Sequence, residues 1–455
     1  MEEIKIHFLG AAETVTGSKF YIETSQKKIL VDCGMFQGIK KLRELNWSTL
    51  PIDPSTIDIV LLTHGHLDHT GYLPRLLQQG FKGEIIGTAP TLAITEIILR
   101  DSAKIHEEEA QKANKEGYSK HESAQPFYTM TQAEQTIKLF KKKEEGIWYT
   151  LSPNIKYRLN YNGHIIGATY IELDIHGKLL VFSGDIGRKN DILLKNPKQP
   201  QWADFLFLES TYGNKCHPEE NIEEKLITLI KDTITNQGTL IIPSFAVERL
   251  QTLMFLLWTL YKKNKIPNIS IYVDSPMGNS VTSLFERFAD WHKIPLSELR
   301  TILDHIHIVT SFRDTWKVID NPHPKIVIAG SGMVTGGRVL TYLKQLIDKP
   351  NTSVLLVGYQ AESTRGKQLQ DGAHEIKIFG KFIPVKAKIF HDQSLSAHAD
   401  QAELLDWISN IKNIPEQVFL VHGEATALDS LRVKIKDIYN WEVTIPSHNQ
   451  IVTLR

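Results

Sequence analysis

Short apolar runs recur along this chain, and most of them stop at a polar residue followed by a turn. Residues 57–63 read as a buried strand, and Leu73, Leu76 and Leu77 ahead of Gly80 predict a short helix after it. The runs 29–31, 179–182, 205–208 and 418–421 follow the same grammar, leading into Asp32, Ser183-Gly184-Asp185, Glu209 and His422-Gly423. From about Glu220 the pattern changes. Helical periodicity over 222–236, 247–262 and 338–347 alternates with strand-like runs at 239–242, 269–273, 326–329 and 353–357. Such alternation predicts a mainly parallel sheet covered by helices on both faces. From about Glu375 the chain returns to a hairpin, with its turn at Gly380-Lys381, and then to the first grammar. One domain, residues 1–208 and 375–455, is therefore split by another at 209–374.

Composition narrows the function classes. A length of 455 residues suggests two or three domains. Lys plus Arg balances Asp plus Glu at 52 each, so no global basic field exists and any polyanion site must be local. Cys33 and Cys216 are too few for a disulfide framework or a thiolate zinc site. The longest apolar stretch of note, 253–260, is too short to cross a membrane, and the N-terminus lacks signal-peptide character. The expected compartment is the cytoplasm, with no membrane partner. The charged helical segment 90–121 and Lys141-Lys142-Lys143 read as solvated faces.

The chemistry concentrates in His64-Gly65-His66-Leu67-Asp68-His69, directly after a buried strand. Imidazole and carboxylate suit zinc, and alternating ligand types on a strand-to-helix turn can feed two neighbouring ions. The competing reading is a solvated His-rich turn, but such a turn has no need of an Asp among its histidines or of a buried strand before it. His164 in Asn162-Gly163-His164, Asp185, His422 and Asp32 are further ligand-type residues at strand ends. Each alone is a weak signal, since a lone His there is often only hydrogen-bonded. Together they place metal-binding groups at one end of a sheet.

With these motifs the chain resembles the metallo-β-lactamase superfamily, and within it the β-CASP nucleases, in which a second domain interrupts the first. The branch markers are Leu208-Glu209-Ser210-Thr211-Tyr212-Gly213, Ser396-Ala397-His398-Ala399-Asp400 and Val421-His422-Gly423-Glu424. Between them lie Ile242-Pro243-Ser244-Phe245-Ala246-Val247, Asp274-Ser275-Pro276-Met277, the glycine-rich 330–338 and Gly358-Tyr359-Gln360-Ala361-Glu362. The resemblance runs from first strand to last. It is strongest to compact bacterial and archaeal RNA-processing members, which are similar to the cleavage nuclease of eukaryotic polyadenylation. It begins at Ile4–Phe8 without the KH modules of some archaeal members.

The resemblance implies an α/β protein, an αββα sandwich carrying an inserted α/β β-CASP domain, and two Zn2+ per chain, with Mn2+ an in vitro substitute. It implies that His64, His66 and His164 hold one ion, that Asp68, His69 and His422 hold the other, and that Asp185 bridges them. Asp32 is then expected behind a ligand imidazole rather than on a metal. The implied reaction is two-metal hydrolysis of a phosphodiester, with Asp68 and Asp185 in the catalytic centre. His398, supported by Glu209, protonates the leaving oxygen. A His at position 422 is what the RNA-processing branch carries, whereas the DNA-repair branch has an aliphatic residue there, so single-stranded RNA is the expected partner. A homodimer is compatible with the sequence.

The turn 330–338 holds four glycines in nine residues between a strand and a helix. Its backbone N–H groups, around Gly332, Gly336 and Gly337, together with Arg338 and the hydroxyls of Ser331 and Thr335, are candidates to hold a phosphate away from the metals, although such turns are often only tight turns. Ser244, Ser363 and Arg365 are candidates of the same kind. Three other functions fit the metal core: a DNA-directed nuclease of the same branch, a small-molecule metallo-hydrolase, and a non-catalytic RNA-binding subunit. The inserted domain and the His398 motif argue against the small-molecule reading, and the intact ligand positions argue against the scaffold.

Overall fold

The computed structural model describes residues 3–116, 123–218, 221–361 and 363–454. His121, Glu220 and Glu362, named above at the edges of motifs or elements, lie outside the described residues. The chain forms two compact units, one of residues 1–216 and 398–455, the other of 217–397. Among the described residues no helix is long and apolar enough to cross a membrane.

The first unit contains two seven-stranded sheets. One runs from Ile451–Leu454 through Ile4–Phe8, Phe20–Glu23, Lys28–Val31, Ile59–Leu61 and Glu84–Gly87 to Phe140–Lys142. The other runs from Val443–Thr444 through Gln417–Val421, Phe205–Glu209, Lys178–Phe182 and Thr169–Ile175 to Ile155–Tyr161 and Trp148–Ser152. Alternation within single strands explains how they stack. In Phe205–Glu209, Phe205 and Phe207 enter the core between the sheets, while Leu206 and Leu208 face the outer helices. Phe419 and Val421 of Gln417–Val421 join the inner core, and Val418 and Leu420 the outer one. Phe182 stacks on Phe207 at 4.1 Å between centroids, and Phe207 on Phe419 at 5.0 Å. Each outer face is closed by helices. Leu73, Leu76, Leu92 and Leu99 cover the first sheet, and Leu404, Trp407, Leu428 and Leu431 cover the second. This is the expected αββα order of layers. The charged segment forms the helix Ala89–Glu116, which buries Leu92, Leu99, Ala103 and Ala110 and leaves Glu108 and Glu109 outward, while the half-buried Glu107 accepts the Met130 N–H at 2.8 Å.

The second unit is built on a six-stranded sheet in which every pairing is parallel. Its strands alternate between two buried faces. Leu240, Ile242, Ile326, Ile328, Leu355 and Val357 lie on one side, and Ile241, Val327, Ala329, Val354 and Leu356 on the other. That double burial is why these strands read as continuous apolar runs.

Two sequence expectations change here. The expected boundary near residue 375 falls instead at His398, because Lys388–Asp392 pairs in parallel with Thr352–Val357 and adds the edge strand of the second unit's sheet. The hairpin Glu375–Ile378/Lys381–Pro384 belongs to the second unit as well, and residues 209–216 stay with the first. The hairpin turn is Phe379-Gly380 rather than Gly380-Lys381. Both residues have positive φ, 46° and 81°, as a two-residue turn matched to strand twist requires.

Candidate metal centre

Every residue of this centre belongs to the first unit, and Asp32, His422 and Asp185 sit where strands end. Asp32 follows Lys28–Val31 and His422 follows Gln417–Val421. Both have positive φ, 58° and 50°, a conformation disfavoured for residues with a Cβ, and it turns each side chain off its strand axis. Asp185 follows Lys178–Phe182 through Gly184, whose φ is 55° and where a Cβ would stand 2.7 Å from the Thr63 side chain. His64 and His66 follow Ile59–Leu61. Asp68 and His69 do not lie on an open turn as the sequence suggested, but inside the one-turn helix Leu67–Thr70. Gly34 lets a loop run against that helix, since a Cβ there would be 1.5 Å from the Asp68 carbonyl oxygen.

The structure brings His64, His66, His164 and Asp185 into one group, and Asp68, His69 and His422 into a second. In the first, His66 Nδ1 lies 3.0 Å from His64 Nε2 and 3.2 Å from His164 Nε2. Asp185 Oδ2 lies 3.5 and 3.6 Å from the same two Nε2 atoms. In the second, His422 Nε2 lies 3.3 Å from His69 Nε2 and 3.5 Å from Asp68 Oδ2, and Asp185 Oδ1 lies 3.4 Å from His69 Nε2. A tetrahedral zinc with bonds of about 2.0–2.1 Å needs ligand atoms roughly 3.3 Å apart. Both groups have that spacing. Asp185 Oδ1 is buried without a hydrogen-bond partner, an arrangement that costs free energy unless a cation or donor faces it. The donor set and its spacing fit zinc, which either group would be able to hold.

Electrostatics at His64 and His66 point the same way, whereas at His69 burial is outweighed by Asp185 and Asp32, which hold the imidazole well above its usual pKa. Burial pulls the His64 imidazole well below its usual pKa and His66 down to about 4, so both are neutral and able to donate a lone pair. Burial works against a charge on Asp185, yet His422, His69 and His64 hold its carboxyl well below the usual range. Three of these imidazoles are anchored through Nδ1. His69 Nδ1 meets Asp32 Oδ2 at 2.7 Å, His64 Nδ1 meets Thr63 Oγ1 at 3.1 Å, and His422 Nδ1 meets Thr211 Oγ1 at 3.1 Å. Such contacts fix ring orientation and tautomer.

Beside the ligands, His398 Nδ1 lies 3.3 Å from Glu209 Oε1, and its ring is 4.4 Å from that of His164. Glu209 is itself held, accepting from Ile186 N–H at 2.7 Å and Thr211 N–H at 3.1 Å. Burial lowers the His398 pKa, but the charge and hydrogen bond of Glu209 outweigh it and lift the group to about 8. His398 therefore carries a proton near neutrality.

Sequence reading passed over four residues that build this site. Thr63 donates its N–H to Asp32 at 2.8 Å and its hydroxyl at 2.9 Å, tying the two strand ends together. Asn162 Nδ2 donates to the carbonyls of Ser183 and Asp185, and the Ser183 hydroxyl accepts the Glu209 N–H at 3.0 Å. Lys19 is fully buried. Its Nζ donates to the carbonyls of Gly17 at 3.0 Å and Gly34 at 2.5 Å, and lies 4.5 Å from the Phe36 ring and 5.0 Å from that of Tyr72. The segments it joins hold the ligand helix: Ser18 N–H donates to Asp68 O, Cys33 N–H to His69 O, and Met35 N–H to Leu67 O. Lys19→Met keeps the volume but leaves two carbonyls without their ammonium. It is expected to cost about 1–3 kcal/mol, seen as a lower melting temperature. An unchanged melting temperature would show that Lys19 does not brace the helix.

The glycine-rich loop lies in the second unit and is occupied differently from expectation. Arg338 Nη1 donates to Thr315 Oγ1 at 3.0 Å, its Nε lies 3.7 Å from the buried Asp274 carboxylate, and its guanidinium covers the Phe312 ring. Arg365 donates to the carbonyls of Lys377, Val334 and Thr335. Both guanidinium groups brace the loop. Thr335 N–H donates to Ser331 Oγ at 3.3 Å, so one expected phosphate donor is engaged inside the loop. Gly332 leaves room for the Phe245 ring, 2.7 Å from where a Cβ would be, and Gly337 has φ 68°. Gly336 has open space around its Cα, Ser363 is exposed, and Ser244 is buried with its hydroxyl on the Phe245 carbonyl.

Residues 15–215 match the Metallo-beta-lactamase superfamily, residues 250–369 the Beta-Casp domain, and residues 383–446 the Zn-dependent metallo-hydrolase RNA specificity domain. The chain is 32% identical to the ribonuclease TTHA0252 of Thermus thermophilus, over 93% of this chain and 94% of that protein. It is 30% identical to an RNase J-like protein of Methanocaldococcus jannaschii, over 92% and 93%, and 28% identical to the transcription termination factor FttA of the same organism, over 99% and 72%. A crystal structure of a protein of unknown function from Enterococcus faecalis shares the fold, with a TM-score of 0.55 at 12% identity, covering 99% of this chain and all of that one. Three domain matches in order, and a relative at 32% identity along nearly its whole length, show that the chain belongs to the β-CASP family of the metallo-β-lactamase superfamily, a family of metal-dependent hydrolases.

Proposed function

We propose that this chain is a zinc-dependent ribonuclease that hydrolyses phosphodiester bonds of single-stranded RNA. The observation that carries the reading is one buried carboxylate, Asp185, whose Oδ2 lies 3.5 Å from His64 of the first group and whose Oδ1 lies 3.4 Å from His69 of the second, with the His398–Glu209 pair nearby. The names of two relatives, a ribonuclease and an RNase J-like protein, support RNA as the substrate class. His64, His66 and His164 would hold one ion, Asp68, His69 and His422 the other, and Asp185 both. Zinc bound there polarises a phosphate oxygen and lowers the pKa of water towards neutral. The chain's own groups do the rest. Asp32, Thr63 and Thr211 keep three ligand imidazoles in orientation. His398 delivers a proton to the leaving oxygen, and Glu209 holds its Nδ1 so that the proton leaves from Nε2. Gly336 and neighbouring N–H groups of the glycine-rich loop, with the Ser331 hydroxyl, are proposed to hold a phosphate, and Arg338 and Arg365 brace that loop. The proposed compartment is the cytoplasm.

The test offers 5′-labelled and 3′-labelled single-stranded RNA, DNA of the same sequence, and lactone, thioester and nitrocefin-type substrates. The expected result is RNA cleavage that EDTA stops, with the two product ladders reporting endonucleolytic or 5′-to-3′ action. Intact RNA together with rapid turnover of a small ester would overturn the proposal.

A further inference from the structure

The hairpin Glu375–Ile378/Lys381–Pro384 has one face turned inward and one outward. Ile376 and Ile378 are buried in the second unit's core, whereas Lys377, Lys381 and two phenylalanines are exposed. Phe379, at the turn, is 58% exposed and Phe382 is 62% exposed, among the most exposed large apolar residues described. Neither ring is needed by the core. Each has an ammonium near it: Lys377 Nζ is 5.5 Å from the Phe382 centroid, and Lys344 Nζ is 5.7 Å from that of Phe379. Lys344, Lys377, Lys381 and Lys386 make no salt bridge among the described residues, against Glu375 on the hairpin and the exposed Asp348, which follows Ile347, the acceptor of the Lys386 N–H. In a chain whose charges balance overall, this is a local cationic surface. Arg365 joins it to the glycine-rich loop by donating at once to Lys377 O on the hairpin and to Val334 O and Thr335 O on the loop.

We propose that this hairpin is a stacking platform for single-stranded RNA, on which bases lie against Phe379 and Phe382 while the surrounding lysines hold the phosphates. The proposal rests on the ribonuclease reading and adds to it a binding element outside the metal centre. Exposed aromatic rings interleaved with lysines match the chemistry of an unpaired strand, which offers a π-face with every base and a charge with every phosphate. A second copy of the chain is a poorer occupant, because a two-fold contact of this face would set its lysines against their own counterparts.

The test compares the wild type with Phe379→Asn/Phe382→Ser and with Lys377→Ala/Lys381→Ala. Asn suits the positive φ at 379, and all four side chains are exposed, so the fold should persist; unchanged melting temperatures verify this. Binding of a labelled 20-nucleotide RNA is read beside an abasic oligomer of equal charge, with KM and kcat for RNA cleavage and the molar mass from light scattering. The aromatic double variant is expected to bind RNA at least about tenfold more weakly, with KM raised and kcat kept, and to bind the abasic oligomer as the wild type does. The lysine variant should weaken both ligands, less so at high salt. Equal RNA affinity in the aromatic variant and a binding-competent wild type would overturn the platform alone. Failure of the wild type to bind or cleave any RNA would overturn the ribonuclease reading and the platform with it. A change of molar mass with RNA affinity intact would make the hairpin a contact between copies and also overturn it.

Discussion

Asp185→Ala is expected to abolish hydrolysis and to lower zinc content. Its two oxygens face different ligand sets, Oδ2 towards His64 and His164 and Oδ1 towards His69. Removing the carboxylate leaves the imidazoles of the two sets to hold positive charge, with Asp68 as the remaining carboxylate among them. Electrostatics sets the scale. Even two unit charges 4 Å apart repel by about 4 kcal/mol at an effective dielectric of 20, and zinc carries twice that charge. Metal analysis and an RNA cleavage assay on the same preparation check the expectation. Full activity with normal zinc content would reject the ligand assignment.

His398→Ala is expected to behave differently. The two ligand sets do not include it, so both zinc ions and RNA binding should survive, while kcat falls by roughly two to four orders of magnitude, the usual worth of a general acid. Glu209→Gln should give a smaller loss, because the amide oxygen can still accept the Ile186 N–H but no longer supports a charged imidazole. Loss of metal in His398→Ala would show that the imidazole is a ligand. Wild-type kcat would remove it from the proton path.

Much of this fold was legible because its strands are buried. A strand covered on one or both faces must be apolar, so Leu179 to Phe182 and Val418 to Val421 announce themselves, and the polar group that follows each is where a rigid scaffold can present chemistry. The six residues from His64 to His69 carried the site for the same reason. What the sequence hid depends on long-range pairing. The edge strand Lys388–Asp392 has a broken apolar pattern, and only its pairing with Thr352–Val357 assigns it, and the hairpin before it, to the second unit. The engagement of Arg338 by Asp274 and Thr315 was hidden because those residues lie 64 and 23 positions away. Lys19 was invisible for a simpler reason. A lysine reads as a surface residue, and nothing in its neighbours forecasts that two carbonyls and two aromatic rings enclose it.

The most direct test of the two-zinc ribonuclease account is a titration. The chain is stripped with a chelator, zinc is returned in known equivalents, and cleavage of a labelled single-stranded RNA is measured at each step. The account expects no cleavage without metal and full cleavage only as the second equivalent binds, because one ion would leave one of the two ligand sets around Asp185 unfilled. Cleavage that persists in the stripped chain, or that saturates at a single equivalent, would contradict it.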